Sequence, residues 1–81
     1  MQGKPTLSEA EKERLMDTGI LDTLLDSDAA RPWSMAEIER EMESWEASDG
    51  VGRLVRAGLV HRVGDFVWAS RAAIAARPLN A

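Results

Sequence analysis

The side chains in this sequence that are able to do chemistry are mostly guanidiniums and carboxylates, and they are unevenly spread. Up to Glu43, eleven acids face five bases; from Ser44 onward Arg53, Arg56, Arg62, Arg71 and Arg77 face only Glu46, Asp49 and Asp65. A guanidinium is a planar fork of donors that suits phosphate or carboxylate. The second half is therefore the one plausible electrostatic footprint for a phosphate backbone, even though the whole chain carries −4. Other chemistry is poorly supplied. There is no cysteine, which excludes disulfides and thiolate metal sites. The glutamates Glu37, Glu39, Glu41 and Glu43 have no second nitrogen or sulfur ligand to complete a metal set. His61, the only histidine, reads as a packed or half-exposed residue beside Trp68, with no neighbouring charge to make it a pH sensor. Serine and aspartate fall at cap and surface positions, without a nucleophile elbow, and Gly50-Val51-Gly52 is too short to cradle a nucleotide. The expectation is a protein that is not an enzyme and that needs neither cofactor nor metal.

These side chains must be positioned by one small domain, since 81 residues do not support two independent cores. With 44% hydrophobic and 30% charged residues the composition is that of a globular chain rather than a disordered one. No stretch approaches 18 apolar residues, and Met1-Gln2-Gly3-Lys4-Pro5 lacks the apolar block of a secretory signal. A cytoplasmic protein that does not enter a membrane is expected.

Thr6 with Glu9, and Ser8 with Glu11, both have capping-box spacing, so a helix should begin near Ser8. Leu15, Met16, Ile20, Leu21, Leu24 and Leu25 recur at helical spacing. Gly19 costs a helix interior about 1 kcal/mol relative to alanine, so two helices jointed near Asp17 to Gly19 are an alternative to one. Residues 27–32 read as a connection. Ser34 and Glu37 then open a short helix whose stripe is Met35, Ile38 and Met42. After a turn near Ser44 and Trp45, Ala47, Val51, Leu54 and Val55 define a third helix. It starts between Ser44 and Ser48 and ends at a left-handed cap on Gly58. Gly50 and Gly52 weaken that helix, so tertiary packing must hold it.

Beyond Gly58 the period becomes alternating. Leu59 to Val63 and Phe66 to Ala69 form a hairpin around Gly64-Asp65, where a first-position glycine suits a type II′ turn. That register pairs Val63 with Phe66 and His61 with Trp68 on one face, and Arg62 with Val67 and Val60 with Ala69 on the other. Both faces carry apolar residues, so something should cover the second one: the segment before Gly19, the last helix through Ile74, or another copy of the chain. The simpler reading of Trp33, Trp45 and Trp68 is that they anchor the core. Ser70 caps a last helix through Ala76, which Pro78 ends.

This order of helices followed by a two-stranded ribbon resembles the winged helix-turn-helix superfamily of DNA-binding domains. The resemblance rests on Ser34-Met35-Ala36-Glu37-Ile38 and on the block Val51-Gly52-Arg53-Leu54-Val55-Arg56-Ala57-Gly58-Leu59-Val60-His61-Arg62. It covers roughly residues 20–76, leaving 1–19 as a helical extension and 77–81 as a tail. It implies a mainly α fold with a small β-hairpin: a three-helix core, a wing and a short C-terminal helix. In the family a short strand before the second helix joins the wing, and Pro32 and Trp33 occupy that place.

By this resemblance the helix ending at Ala57 would enter the major groove of double-stranded DNA, as in a small transcription regulator, with the hairpin over the adjacent backbone. Ser48, Arg53, Arg56 and Arg62 are the candidate DNA contacts. At about 100° per residue, Arg53 and Arg56 fall together opposite Val51 and Leu54, while an Asp49–Arg53 pair on a solvated surface is the alternative for Arg53. Several features depart from the family pattern: the glutamates of the second helix, the short acidic turn of the hairpin, and the absence of an evident sensing domain or long dimerisation helix. On the DNA-binding reading the protein acts as a homodimer, whose formation through the hairpin region would present two recognition helices. The second functional reading is a protein-interaction module that docks a partner protein through its acidic second helix or through Phe66 and Trp68 on the hairpin.

Overall fold

The computed structural model describes residues 7–26 and 31–76. Its elements are α1 (Glu9–Leu25), β1 (Trp33–Ser34), α2 (Met35–Met42), α3 (Ala47–Arg56), β2 (Val60–Val63), β3 (Phe66–Ala69) and α4 (Arg71–Ala76). This is a mainly helical domain with a small antiparallel sheet, in the order of a helix-turn-helix followed by a wing. The expected Thr6 cap, the connection over 27–30 and the tail over 77–81 lie outside the described residues. No helix among the described residues is long and apolar enough to cross a membrane.

Ser8 starts α1 as expected, its hydroxyl accepting from the Glu11 amide and its own amide donating to the Glu11 carboxylate. The alternative of two jointed helices is not what forms: α1 runs unbroken through Gly19. Tertiary packing overrides the local propensity, because Gly19 lies under the tip of Met42 from α2 and α1 buries Ile20, Leu24 and Leu25 in the core. Since the helix continues past residue 19, the proposed division of an extension from the domain falls inside one element.

Ser34 and Glu37 make the second capping box of the chain. The helix they open ends with Glu43 at φ 56°, where the Ser44 and Glu43 amides donate to the Glu39 and Arg40 carbonyls. This is a Schellman closure with glutamate in the left-handed position that glycine usually takes. The same closure ends α3, with Gly58 at φ 78° and the Leu59 and Gly58 amides donating to the Leu54 and Val55 carbonyls. Here the glycine expected from the sequence is in place.

The hairpin has the expected register throughout. Positive φ falls on Gly64 and not on Asp65, as a II′ turn requires. β1 adds a third strand on the other side of β3, pairing Trp33 with Val67 and Ser34 with Phe66. Val60, Val67 and Ala69 face inward onto Ile20, Leu24, Ile38, Val51 and Leu54. Ser70 is buried and ties two elements together: its hydroxyl donates to the Gly58 carbonyl at 2.8 Å and accepts from the Ala73 amide that opens α4.

The glycines of α3 differ in what surrounds them. A Cβ on Gly50 would meet Ile20, Asp17 and Met16 of α1 at 2.7, 3.0 and 3.1 Å, whereas on Gly52 it would find only the Arg56 tip at 3.7 Å. Gly50→Ala is expected to lower stability by about 1–2 kcal/mol despite its better helix propensity, because Ile20 is fully buried and cannot move aside. Gly52→Ala should raise it by about 0.4–1 kcal/mol. Thermal melts of the two variants should therefore shift in opposite directions from the parent, and shifts of the same sign would refute this account of the crossing.

Candidate functional site

The face of α3 away from the core begins as the sequence suggests. Ala47, Gly50, Val51 and Leu54 are buried, and Asp49, Val55 and Arg56 are exposed with Ser48 and Gly52 half-buried among them. Short side chains on this face leave the backbone of α3 approachable. Trp45, in the turn that enters α3, is 76% exposed. It does not anchor the core, which corrects the common reading of the three tryptophans. Trp33 does pack against the core at its edge, where the Arg31 guanidinium lies 4.5 Å from its ring centroid.

Arg53 and Arg56 do not point together. The Arg53 fork turns sideways to α1, where Nε donates to both oxygens of Asp17 at 2.9 and 3.1 Å and Nη2 donates to Oδ1 at 2.8 Å. Nη1 stands 3.8 Å from Glu13. Neither the outward direction nor the alternative surface pair of Arg53 with Asp49 is found; Asp17 takes the fork instead, because α1 packs close enough along α3 to offer a bidentate carboxylate. The Asp17 hydrogen bonds, followed by the charges of Asp17, Glu13 and Asp49, raise the Arg53 pKa against the opposing effect of burial. No signal within the sequence separates this pair, 36 positions apart, from any other acid and base.

Arg56 stays on the outward face, its tip near Gly52, with no carboxylate at ion-pair distance among the described residues. The same holds for Arg62 and Arg71. Arg62 lies on β2 opposite Val67, and its Nε donates to the Gly64 carbonyl at 2.8 Å. The bases of the N-terminal half include two that are already paired, Lys12 with Glu9 and Arg31 with Glu37.

The wing turn does not project freely. The Asp65 carbonyl accepts from the Met35 amide at 2.8 Å, so the turn is fastened to the start of α2. The outer face of the sheet carries Val63 and Phe66, 66% and 55% exposed, with Trp68 and Pro32 beside them. Nothing among the described residues covers Val63 and Phe66. His61 and Trp68, cross-strand partners on this face, have ring centroids 5.8 Å apart.

Comparison with protein-family models, with curated proteins and with solved structures finds no match to the chain.

Glu37 supplies a pH-dependent element beside the site. Its pKa is lowered, first by the hydrogen bond from the Ser34 backbone amide and then, against desolvation, by the hydrogen bond and charge of Arg31. A carboxylate with a lowered folded pKa adds stability that is present above the ordinary glutamate value of about 4.3 and is lost as the pH falls through the folded one. The melting temperature of Glu37→Gln should accordingly lie below the parent's near neutrality and meet it in acid. A gap constant with pH would show that the charge on Glu37 contributes nothing.

Proposed function

We propose that this protein binds duplex DNA, with α3 against the major groove and Arg56 and Arg62 as its positive contacts. One observation carries the reading: α3 is the outward-open second helix of a helix-turn-helix, directly before a wing, and Arg56, Arg62 and Arg71 on α3, β2 and α4 have no carboxylate at ion-pair distance among the described residues. Ser48 and Gly52 are small enough for the helix to approach a groove edge, and Arg56 has the donor fork for guanine or phosphate. The wing turn is not part of the contact, since the Asp65 carbonyl is engaged by Met35 and its side chain is acidic.

Few phosphates are neutralised by so few arginines, so a single copy binds weakly, with a dissociation constant for random duplex of about 10⁻⁴–10⁻⁶ M at moderate salt. Anisotropy titrations of a labelled duplex at several salt concentrations test this. Each of Arg56→Ala and Arg62→Ala should weaken binding and flatten the slope of log K against log salt by about 0.9 if the lost contact is to phosphate. Absence of binding at about 10⁻⁴ M protein in low salt overturns the proposal.

The second reading is favoured by the uncovered apolar face of the sheet. Val63, Phe66 and Trp68 present the kind of aromatic and aliphatic surface on which proteins dock, and a second copy of the chain is the partner that would also present two α3 helices to DNA. Sedimentation equilibrium should then find a concentration-dependent dimer that Phe66→Ser abolishes while the melting temperature holds. A monomer at all concentrations removes the homodimer.

A further inference from the structure

Arg53 occupies an unusual place for a group on the open helix. It lies between the outward face of α3 and the flank against α1, and its donors are taken by two carboxylates of one helix, Asp17 directly and Glu13 at longer range. Those acids are four residues apart on α1, so a single helical face presents both to one guanidinium. The contact is not sealed from solvent: the Arg53 and Asp17 side chains keep 26% and 23% of their exposure. The groove beside it is lined by Glu9, Glu13, Glu46 and Asp49 with Lys12, so its edge is mostly acidic and repels an incoming anion while Arg53 attracts it. The pair is bidentate, yet both side chains reach solvent, so a phosphate oxygen offering the same two-pronged acceptor can compete for the fork.

We infer that Arg53 is a latent phosphate ligand, held by Asp17 and Glu13 in the free protein and transferred to a phosphodiester oxygen when a duplex is brought up to α3. This rests on the DNA-binding reading above. Phosphate accepts the same two-pronged donation as a carboxylate, so the exchange replaces one partner of the fork by another. No covalent bond changes. The two α1 carboxylates then stand near the backbone without a counter-charge, and their repulsion of it makes α1 a brake on binding.

The experiment compares the affinity of a labelled random duplex for the parent, Asp17→Asn, Arg53→Gln and the double variant, in one low-salt buffer. Asp17→Asn should tighten binding by roughly three- to tenfold, on the scale of one added phosphate contact, and the gain should disappear in the double variant. Equal tightening with and without Arg53 would reduce the effect to the loss of a negative charge and overturn the inference, as would no tightening at all. If the parent and every variant fail to bind, the DNA-binding reading itself falls and this inference with it; if the parent binds but no gain depends on Arg53, only this inference falls. Because Asp17→Asn also removes a tie between α1 and α3, a second measurement uses the unaltered chain. The Arg53 Nε–H resonance should shift on addition of duplex, and a resonance that stays in place while DNA binds refutes the transfer.

Discussion

Where α3 crosses α1, Gly50 leaves no Cβ between the two backbones, and Ile20, Met16 and Asp17 fill the space that a side chain would need. The orientation of α3 follows from that approach. With its flank pressed on α1, the helix buries Ala47, Val51 and Leu54 and leaves Ser48, Gly52 and Arg56 away from the core. The same closeness brings Arg53 within reach of Asp17, so one glycine determines both which face of α3 is open and which of its arginines is withheld from that face. A helix with two glycines has poor intrinsic stability. Its persistence is a matter of packing, which also means that its position is specified by α1 rather than by its own sequence.

The sheet is fastened to this helical frame at both ends. Ser70 bonds to Gly58 at the end of α3 and to Ala73 in α4, while the Leu59 carbonyl accepts from the Ser70 amide. At the other end Asp65 meets Met35, and β1 lies along β3. A hairpin alone is only marginally stable in water. Here a third strand, an inward face on the core and a bonded turn together hold it, and the consequence is a wing whose outer face is a stable apolar surface rather than a mobile flap.

What was legible in the sequence was local. The Ser8 and Ser34 boxes join residues three apart, the Gly58 cap closes over a single turn, and the hairpin register follows from a two-residue turn with alternation on either side. Each is decided by chemistry within a few positions. The features that escaped are contacts between segments distant along the chain. Gly19 reads locally as a break and is a seat for Met42; Gly50 reads as a weakness and is a crossing point. Arg53 matches an exposed position by helical angle, yet a guanidinium is long enough to turn to a neighbouring helix, and nothing near it in sequence reports that Asp17 is there. Trp45 follows the same logic in reverse, since its residue type suggests the core and the turn that bears it points to solvent.

The distribution of charge bears on what kind of nucleic-acid contact such a frame can make. Glu39 and Glu41 sit on α2 and Glu43 closes its end, directly before the turn into α3, and Asp49 lies on the face of α3 itself. Screening confines their influence to about 8–10 Å at physiological salt, which is still enough to act on a duplex in contact with α3. They oppose indiscriminate attraction to phosphate. On the proposed reading Arg56 finds its acceptor by position rather than through a broad positive field. An acidic surround lowers affinity for every sequence alike, whereas a well-placed fork on one guanine edge favours one sequence over others by about 1–3 kcal/mol. On the proposed reading, then, the acids beside α3 suppress binding to random sites more than they suppress discrimination. A second copy docked through the uncovered sheet would add a second α3 and a second fork, which multiplies the selective contribution while doubling the repulsion.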